Sequence, residues 1–175
     1  MVRANNFSFS PGQALEFRLR LNVADSKNQA GLLPAIWSSD WAGGGWPIGG
    51  KLDYFELAPG IDPHEPFFSA HYQGINGGTV NRKGAIDLGK NFSGQWHTIR
   101  VEYRPEDITW FVDDQLTYQF IGENLELGAP TPFNQEITNL NINLGIGGEG
   151  GQLDTEALDR SRTNLRIDYI EVSNL

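Results

Sequence analysis

Short segments in which apolar and polar residues alternate recur along most of the chain. In residues 14–22, Leu15, Phe17, Leu19 and Leu21 each stand between less apolar neighbours. A period of two is typical of a β-strand with one buried face. Further strand-like segments lie at 97–103, 108–112, 115–121, 139–146 and 165–172. The pattern predicts an all-β fold, built as an antiparallel β-sandwich of two packed sheets.

The segments between these strands carry turn residues. Residues 104–107 (Arg-Pro-Glu-Asp) predict a hairpin between 97–103 and 108–112, and Asp113-Asp114 predicts the next turn. The stretch from 37 to 50, rich in glycine and tryptophan, reads as a loop. Residues 147–164 read as a second, polar loop in which 152–162 could form a short helix.

Composition narrows the class of protein. A chain of 175 residues predicts one domain, 1–175, with a sizeable core, and 21 glycines with nine prolines suit a fold of many turns. The net charge of −9 argues against a nucleic-acid partner. No apolar stretch is long enough to cross a membrane. The absence of cysteine rules out disulfides without fixing the compartment.

The most informative segment is Lys51-Leu-Asp-Tyr-Phe-Glu56. On a regular strand, residues 51 and 53 share a face and residue 56 points away from it. A β-bulge between them would return Glu56 to that face. The segment then aligns an ammonium group and two carboxylates along one strand. A retaining glycoside hydrolase instead needs two carboxyl groups about 5–5.5 Å apart, one as nucleophile and one as acid/base.

Several blocks in consistent order carry a resemblance to a known family. They read Gly31-Leu-Leu-Pro-Ala-Ile-Trp37, Trp46-Pro-Ile-Gly-Gly-Lys-Leu-Asp-Tyr-Phe-Glu56, Ser69-Ala-His-Tyr-Gln-Gly74, Trp96-His-Thr-Ile-Arg-Val-Glu-Tyr103, Ile108-Thr-Trp-Phe-Val-Asp-Asp-Gln115, Asn143-Leu-Gly-Ile-Gly-Gly148 and Leu165-Arg-Ile-Asp-Tyr-Ile-Glu-Val172. The chain resembles glycoside hydrolase family 16, the laminarinases and lichenases. The resemblance implies a concanavalin A-like jelly roll, and a location outside the cell or in the cell wall, although no signal peptide is visible in this chain.

By this resemblance, position 51 is the nucleophile, Asp53 assists it and Glu56 is the acid/base. Lys51 departs from the family's glutamate. An amine cannot form the glycosyl-ester intermediate, and a cation beside Glu56 favours the ionised form over the acid that protonates a leaving group. The predicted function is therefore a catalytically inactive domain that recognises β-1,3- or mixed β-1,3/1,4-glucan. Lys51 is expected to form a salt bridge with Asp53 or Glu56.

Two other functions stay open. The chain could be an active endo-β-glucanase or transglycosylase in which Asp53 takes over as nucleophile, or an interaction domain that has lost sugar binding. For sugar binding, the resemblance points to Trp37 and Trp46 as cleft residues, and to His71 and Asn143. Trp41 is expected to be exposed and to bind sugar, whereas Trp96 and Trp110 are expected in the core.

No cofactor or metal is expected. Family members often hold a structural Ca²⁺ partly through an aspartate on the last strand, which Asp168 matches, but the other usual contribution comes from an N-terminal portion without a counterpart here. His64 and His97 show no metal-binding spacing. Residues 7–20 already match a strand that several others normally precede in the family. This predicts a sandwich with an exposed edge, whether the short N-terminus reflects truncation, a fragmentary gene or a reduced domain.

Overall fold

The computed structural model describes residues 2–4, 6–22, 30–121, 132–147, 150–151 and 163–175. Its secondary-structure elements are eleven β-strands: β1 Val2–Ala4, β2 Gln13–Asn22, β3 Leu32–Ser39, β4 Lys51–Glu56, β5 Phe67–Gln73, β6 Thr79–Ala85, β7 His97–Tyr103, β8 Asp107–Val112, β9 Gln115–Ile121, β10 Leu140–Ile146 and β11 Asn164–Asn174. The suggested helix at 152–162 lies outside the described residues. Among the described residues, no helix has the length and hydropathy needed to span a membrane.

The strands form two antiparallel sheets. The first has the order β1-β10-β3-β4-β5-β6, and the second has the order β11-β2-β7-β8-β9. The predicted all-β sandwich is confirmed, as is the hairpin between β7 and β8. Asp113 and Asp114 make the β8–β9 turn with φ of 49° and 65°, a left-handed conformation that short polar residues tolerate.

The core lies between the two sheets and is built largely from alternate residues of strands such as β2, β5 and β7. Leu15, Phe17, Leu19 and Leu21 on β2 are fully buried, as the period of two predicts. Aromatic side chains fill much of the remaining space, among them Phe9, Tyr54, Phe55, Phe68, Tyr72, Phe92, Tyr103 and Trp110. Aromatic rings bury large apolar areas, so this core fixes the sheets on which the polar residues of the first sheet stand.

At one side of the sandwich the two sheets approach closely. The ring of Tyr118 on β9 packs directly against Gly84 on β6. A Cβ atom at residue 84 would lie only 2.2 Å from Tyr118 Cγ, so the contact leaves no room for a side chain there. The edge strands β6 and β9 therefore cover one another, and β4 and β5 are held between β3 and β6.

Candidate active site

Strand β4 carries the bulge that the spacing of its ionisable residues requires. Its register against β3 contains one unmatched residue, Tyr54, and its register against β5 shifts between Asp53 and Glu56. The extra residue reverses the alternation, so Glu56 lines the same cleft as Lys51. The predicted bulge is confirmed.

The ammonium of Lys51 is held by two groups. Its Nζ lies 2.6 Å from Oδ1 of Asp53, an ion pair without the alignment of a good hydrogen bond, and 5.5 Å from the centroid of the Trp37 ring. The side chain of Lys51 is 22% exposed, whereas that of Asp53 has no exposed surface. The sequence predicted a salt bridge of Lys51 with Asp53 or Glu56, and the structure shows the one with Asp53.

Asp53 is a buried carboxylate shared by two neighbours. While Oδ1 contacts Lys51, Oδ2 lies 2.9 Å from Nε2 of His71. His71 stands directly opposite Lys51 on β5, so the three side chains form one cluster across two paired strands. A carboxylate without solvent access and with both oxygens engaged is poorly placed to attack an anomeric carbon.

The cleft beside this cluster has a volume of about 510 Å³. Glu56 lines this cleft and is 8% exposed. The other residues that line the cleft are Trp46, Lys51, Ala58, Ile61, Asp62, Glu65, Phe67, Ser69, His71, Asn81 and Lys83. A cavity of this size with polar groups and an aromatic ring is typical of a small-molecule or oligosaccharide site.

A chain of buried hydrogen bonds links Tyr54 on β4 to Ser38 on β3 and to Asn139, the residue before β10. The hydroxyl of Tyr54 donates to Ser38 Oγ at 2.9 Å, and Ser38 Oγ donates to the carbonyl oxygen of Asn139. Burial raises the pKa of Tyr54 well above its usual range, although the hydrogen bond with Ser38 opposes that shift. Tyr54 is therefore a neutral donor, and the bulge rests on a satisfied polar network.

Directly before β4, Gly50 meets both conformational and packing constraints. Its φ is +75°, which favours glycine, and a Cβ there would lie 2.6 Å from Pro132 Cγ and 3.0 Å from the Trp41 ring. Only a residue without a side chain lets the chain enter β4 along this path. The position of Lys51 thus depends on the glycine before it.

The two tryptophans predicted to line the cleft differ in accessibility. Trp46 is 56% exposed, lines the cleft and contacts the His71 ring at a centroid distance of 5.6 Å. Trp37 is half-buried, donates from Nε1 to Oδ1 of Asn143 at 2.7 Å, and has Lys51 over its ring. Trp46 therefore offers the accessible ring, while Trp37 and Asn143 support the site from the side of β3 and β10.

The other tryptophans are placed differently from expectation, with one exception. The prediction that Trp41 is exposed is wrong, because it is half-buried, donates to the carbonyl of Pro132 at 2.9 Å and contacts the Phe133 ring. Trp96 is not a core residue either, since it is only half-buried under the guanidinium of Arg18 at 5.2 Å. Trp110 is fully buried, as predicted.

Sequence reasoning missed several cleft residues. On β5, Phe67 and Ser69 line the cleft together with His71, which the sequence did identify, and Lys83 and Asn81 on β6 stand opposite Ser69 and His71. The period of two along β5 and β6 was the signal that could have found them. Ile61, Asp62 and Glu65 come from the loop after β4, for which the sequence offers no comparable signal.

The histidines and the last-strand aspartate outside the cleft have other partners. Asp168 forms an ion pair with Arg18 at 3.0 Å. Buried His97 contacts Asp113 through Nδ1 at 2.8 Å and the carbonyl of Phe92 through Nε2. Within the described ranges, no three His, Cys, Asp or Glu side chains converge as a metal site.

Sequence comparison agrees with this architecture. The sequence model described as "Glycosyl hydrolases family 16" matches residues 6–171. The beta-glucanase of Rhodothermus marinus is 31% identical over 167 residues, which cover 89% of this chain and 56% of that protein. The glucan endo-1,3-beta-glucosidase of Cryptopygus antarcticus is 25% identical over 174 residues, covering 89% and 60% respectively. The chain thus spans somewhat more than half the length of these relatives.

Solved structures show the same sandwich. The laminarinase of Rhodothermus marinus aligns with a TM-score of 0.76 at 32% identity, covering 95% of this chain and 66% of that one. The endo-beta-1,3-glucanase of Pyrococcus furiosus aligns with a TM-score of 0.79 at 23% identity, covering 98% and 65%. At that lower identity the likeness shows the fold alone, and it confirms the predicted jelly roll.

Proposed function

Because the chain belongs to glycosyl hydrolase family 16, we propose that it is a β-glucan-recognising domain that does not hydrolyse its ligand by the retaining route. The observation that carries this proposal is the ion pair between Lys51 Nζ and the buried Asp53, 2.6 Å long. It puts a cation where double displacement needs a carboxylate nucleophile.

The chemistry of the cluster supports this proposal in two steps. Lys51 cannot form a glycosyl ester, and its ammonium is held by Asp53. Asp53 is fully buried and shared with His71, so it is unsuited to replace the missing nucleophile. Glu56 can still accept or donate hydrogen bonds to a sugar, but one carboxyl group does not complete the retaining pair.

The ligand class comes from the relatives. Their names specify a beta-glucanase and a glucan endo-1,3-beta-glucosidase. A form of the protein LamA from Zobellia galactanivorans, 25% identical to this chain, was solved in complex with laminaritriose and laminaritetraose. We infer that this cleft takes β-1,3-linked or mixed β-1,3/1,4-linked glucan, with Trp46 stacking on a sugar face. No cofactor is needed for such binding.

Binding is tested by titrating laminari-oligosaccharides and mixed-linkage oligosaccharides while following tryptophan fluorescence and heat. Trp46→Ala should weaken binding about threefold to tenfold, the size of one stacking contact at 1.4 kcal/mol per factor of ten. Trp96→Ala is the matched control, because Trp96 directly precedes β7 of the second sheet and lies outside the cleft lining. Absence of saturable binding by the folded wild type would favour the interaction-domain alternative.

Catalysis is tested by reducing-sugar release from laminarin and barley glucan. Wild type should stay at the level of the blank. Lys51→Glu should gain hydrolysis with retained anomeric configuration, and a further Glu56→Gln change should abolish it. Lys51→Gln, which removes the cation without adding a carboxylate, should stay inactive. Turnover by the wild type would overturn the proposal, and inversion of configuration would direct attention to Asp62 and Glu65, the other carboxylates in the cleft.

A further inference from the structure

Lys51 connects the two tryptophans that the sequence predicted for the cleft. Its Nζ lies 5.5 Å from the centroid of the Trp37 ring, whose Nε1 donates a hydrogen bond to Asn143. The same ammonium lies 2.6 Å from Oδ1 of Asp53. An ammonium over an aromatic face is attracted by the ring, so Lys51 is held by a ring and by a carboxylate together.

The connection to Trp46 runs through two further side chains. Oδ2 of Asp53 accepts a hydrogen bond from Nε2 of His71 at 2.9 Å. The His71 ring lies against the ring of Trp46, with a centroid distance of 5.6 Å and an interplanar angle of 53°. His71 also stands directly opposite Lys51 on the neighbouring strand. These four residues therefore form an unbroken series of contacts from a buried carboxylate to an exposed ring.

The charge of Lys51 is what keeps this series together. Asp53 has no exposed surface, and among the described residues its Oδ1 has the ammonium of Lys51 as an ion-pair partner but no hydrogen bond. A buried carboxylate without a balancing cation is costly, and its surroundings rearrange or it takes up a proton to reduce that cost. Because Lys51 balances the charge, His71 has to supply only one N–H to Oδ2, and its ring stays in contact with Trp46.

The ring of Trp46 depends on such support from a neighbour. It is 56% exposed, and the three residues before it, 43–45, are glycines with φ of 72°, 90° and 76°. Glycine has no side chain that could pack against the ring. The aromatic contact that the structure gives Trp46 is the one with His71. The direction in which Trp46 faces the cleft is therefore set in large part from β5.

We infer that Lys51 is a positioning residue of the sugar-binding site. Its charge holds Asp53 and His71 in place, and His71 in turn orients the ring of Trp46 for stacking on a sugar face. The inference rests on the proposed function for the identity of the ligand, a β-glucan, although the contacts themselves do not depend on it. The lysine that removes the nucleophile thus has a role of its own, because it builds the surface that binds the sugar.

The first test needs no ligand. Fluorotryptophan is incorporated at all five tryptophans, and the fluorine NMR resonance of each is assigned by single replacements with phenylalanine. Lys51→Met should move the resonances of Trp37 and Trp46. The resonance of the core residue Trp110 should stay in place. Lys51→Arg, which keeps the charge, should return the Trp46 resonance to its wild-type position.

Three outcomes of this measurement would overturn the inference. The first is an unmoved Trp46 resonance in folded Lys51→Met. The second is a Lys51→Arg variant that behaves like Lys51→Met, because the charge would then not matter. The third is an equal movement of the Trp110 resonance, which would indicate a general loosening of the fold.

A second measurement tests the route through His71. His71→Phe keeps a ring beside Trp46 but cannot donate a hydrogen bond to Asp53. In this background, Lys51→Met should leave the Trp46 resonance where His71→Phe alone places it. A further shift as large as the one in the wild-type background would show that Lys51 does not act through His71, against the inference.

The last test is the affinity for laminari-oligosaccharides. Lys51→Met should weaken binding by no more than the factor of about three to ten expected for Trp46→Ala, because it acts through that ring. In the Trp46→Ala background, the same change should weaken binding by less than about twofold, since the two residues share one effect. Lys83→Met is the matched control. Lys83 lines the cleft over the Phe67 ring, so its effect should be equal in both backgrounds.

Equal losses of affinity from Lys51→Met in the two backgrounds would mean that Lys51 contacts the sugar directly, and would overturn the inference. Absence of glucan binding by the wild type would instead contradict the proposed function. In that case the fluorine resonances still decide whether Lys51 positions Trp46, so the two failures are distinguishable.

Discussion

The ion pair between Lys51 and Asp53 leads to a quantitative prediction about stability. Replacing Lys51 by methionine keeps most of the length of the side chain but removes its charge. Asp53, which has no exposed surface, would then lose its contact with Lys51 but keep the one with His71 Nε2 at 2.9 Å. Breaking a fully buried ion pair costs about 3–5 kcal/mol. Because Lys51 is 22% exposed and His71 remains, we expect a smaller loss of about 1–3 kcal/mol in the free energy of unfolding.

For a chain of this size, about 1 kcal/mol shifts the melting temperature by about 2–4 °C. Lys51→Met should therefore melt about 2–12 °C below the wild type, with the unfolding free energy obtained from urea titration followed by circular dichroism. Adding Asp53→Asn to the Lys51→Met variant should recover part of the lost unfolding free energy, since the buried carboxylate that has lost its lysine partner is then replaced by a neutral amide.

The double-mutant cycle supplies the control. Coupling of at least about 0.5 kcal/mol between the two sites is expected for residues in direct contact. Lys83→Met is the matched single variant, because Lys83 also lines the cleft but lies over the Phe67 ring. If Lys51→Met is as stable as the wild type, or if the effects of Lys51→Met and Asp53→Asn simply add, the ion pair does not hold the cluster together.

Three further predictions concern the elements around the site. Tyr54→Phe should lower the unfolding free energy by about 1 kcal/mol in urea titrations, through loss of the buried hydrogen bond to Ser38; an unchanged value would contradict the network. Gly50→Ala should cost about 2–4 kcal/mol, because a left-handed conformation and a clash with Pro132 add together. Gly94→Ala, with φ of +87° and no atom within 4 Å of the added Cβ, should cost only the conformational part; equal losses would exclude the clash. Burial by itself would raise the pKa of Glu102, but hydrogen bonds from two arginines outweigh burial and lower that pKa below the ordinary 4.5. The stability that these hydrogen bonds provide is therefore present above pH 4.5 and is lost as the pH falls through the lowered pKa. The destabilisation by Glu102→Gln, measured from pH 7 to pH 3, should therefore shrink in acid, and a constant difference would refute this.

The sequence alone determined the features that depend on local periodicity. Alternation along β2 predicted which side chains are buried, and the spacing of Lys51, Asp53 and Glu56 predicted the bulge on β4. The order of the motif blocks indicated the family and the jelly roll, which the comparisons confirm. These properties could be predicted because strand geometry fixes the face on which each residue stands.

Only the tertiary structure decided which groups meet across strands. The sequence allowed Lys51 to pair with either carboxylate, but the register against β5 places His71 opposite it and leaves Asp53 between the two. The exposure expected for Trp41 was wrong because Pro132 and Phe133, distant in sequence, pack against it. Burial and ion pairing depend on such non-local contacts, which a periodic pattern in one segment does not encode.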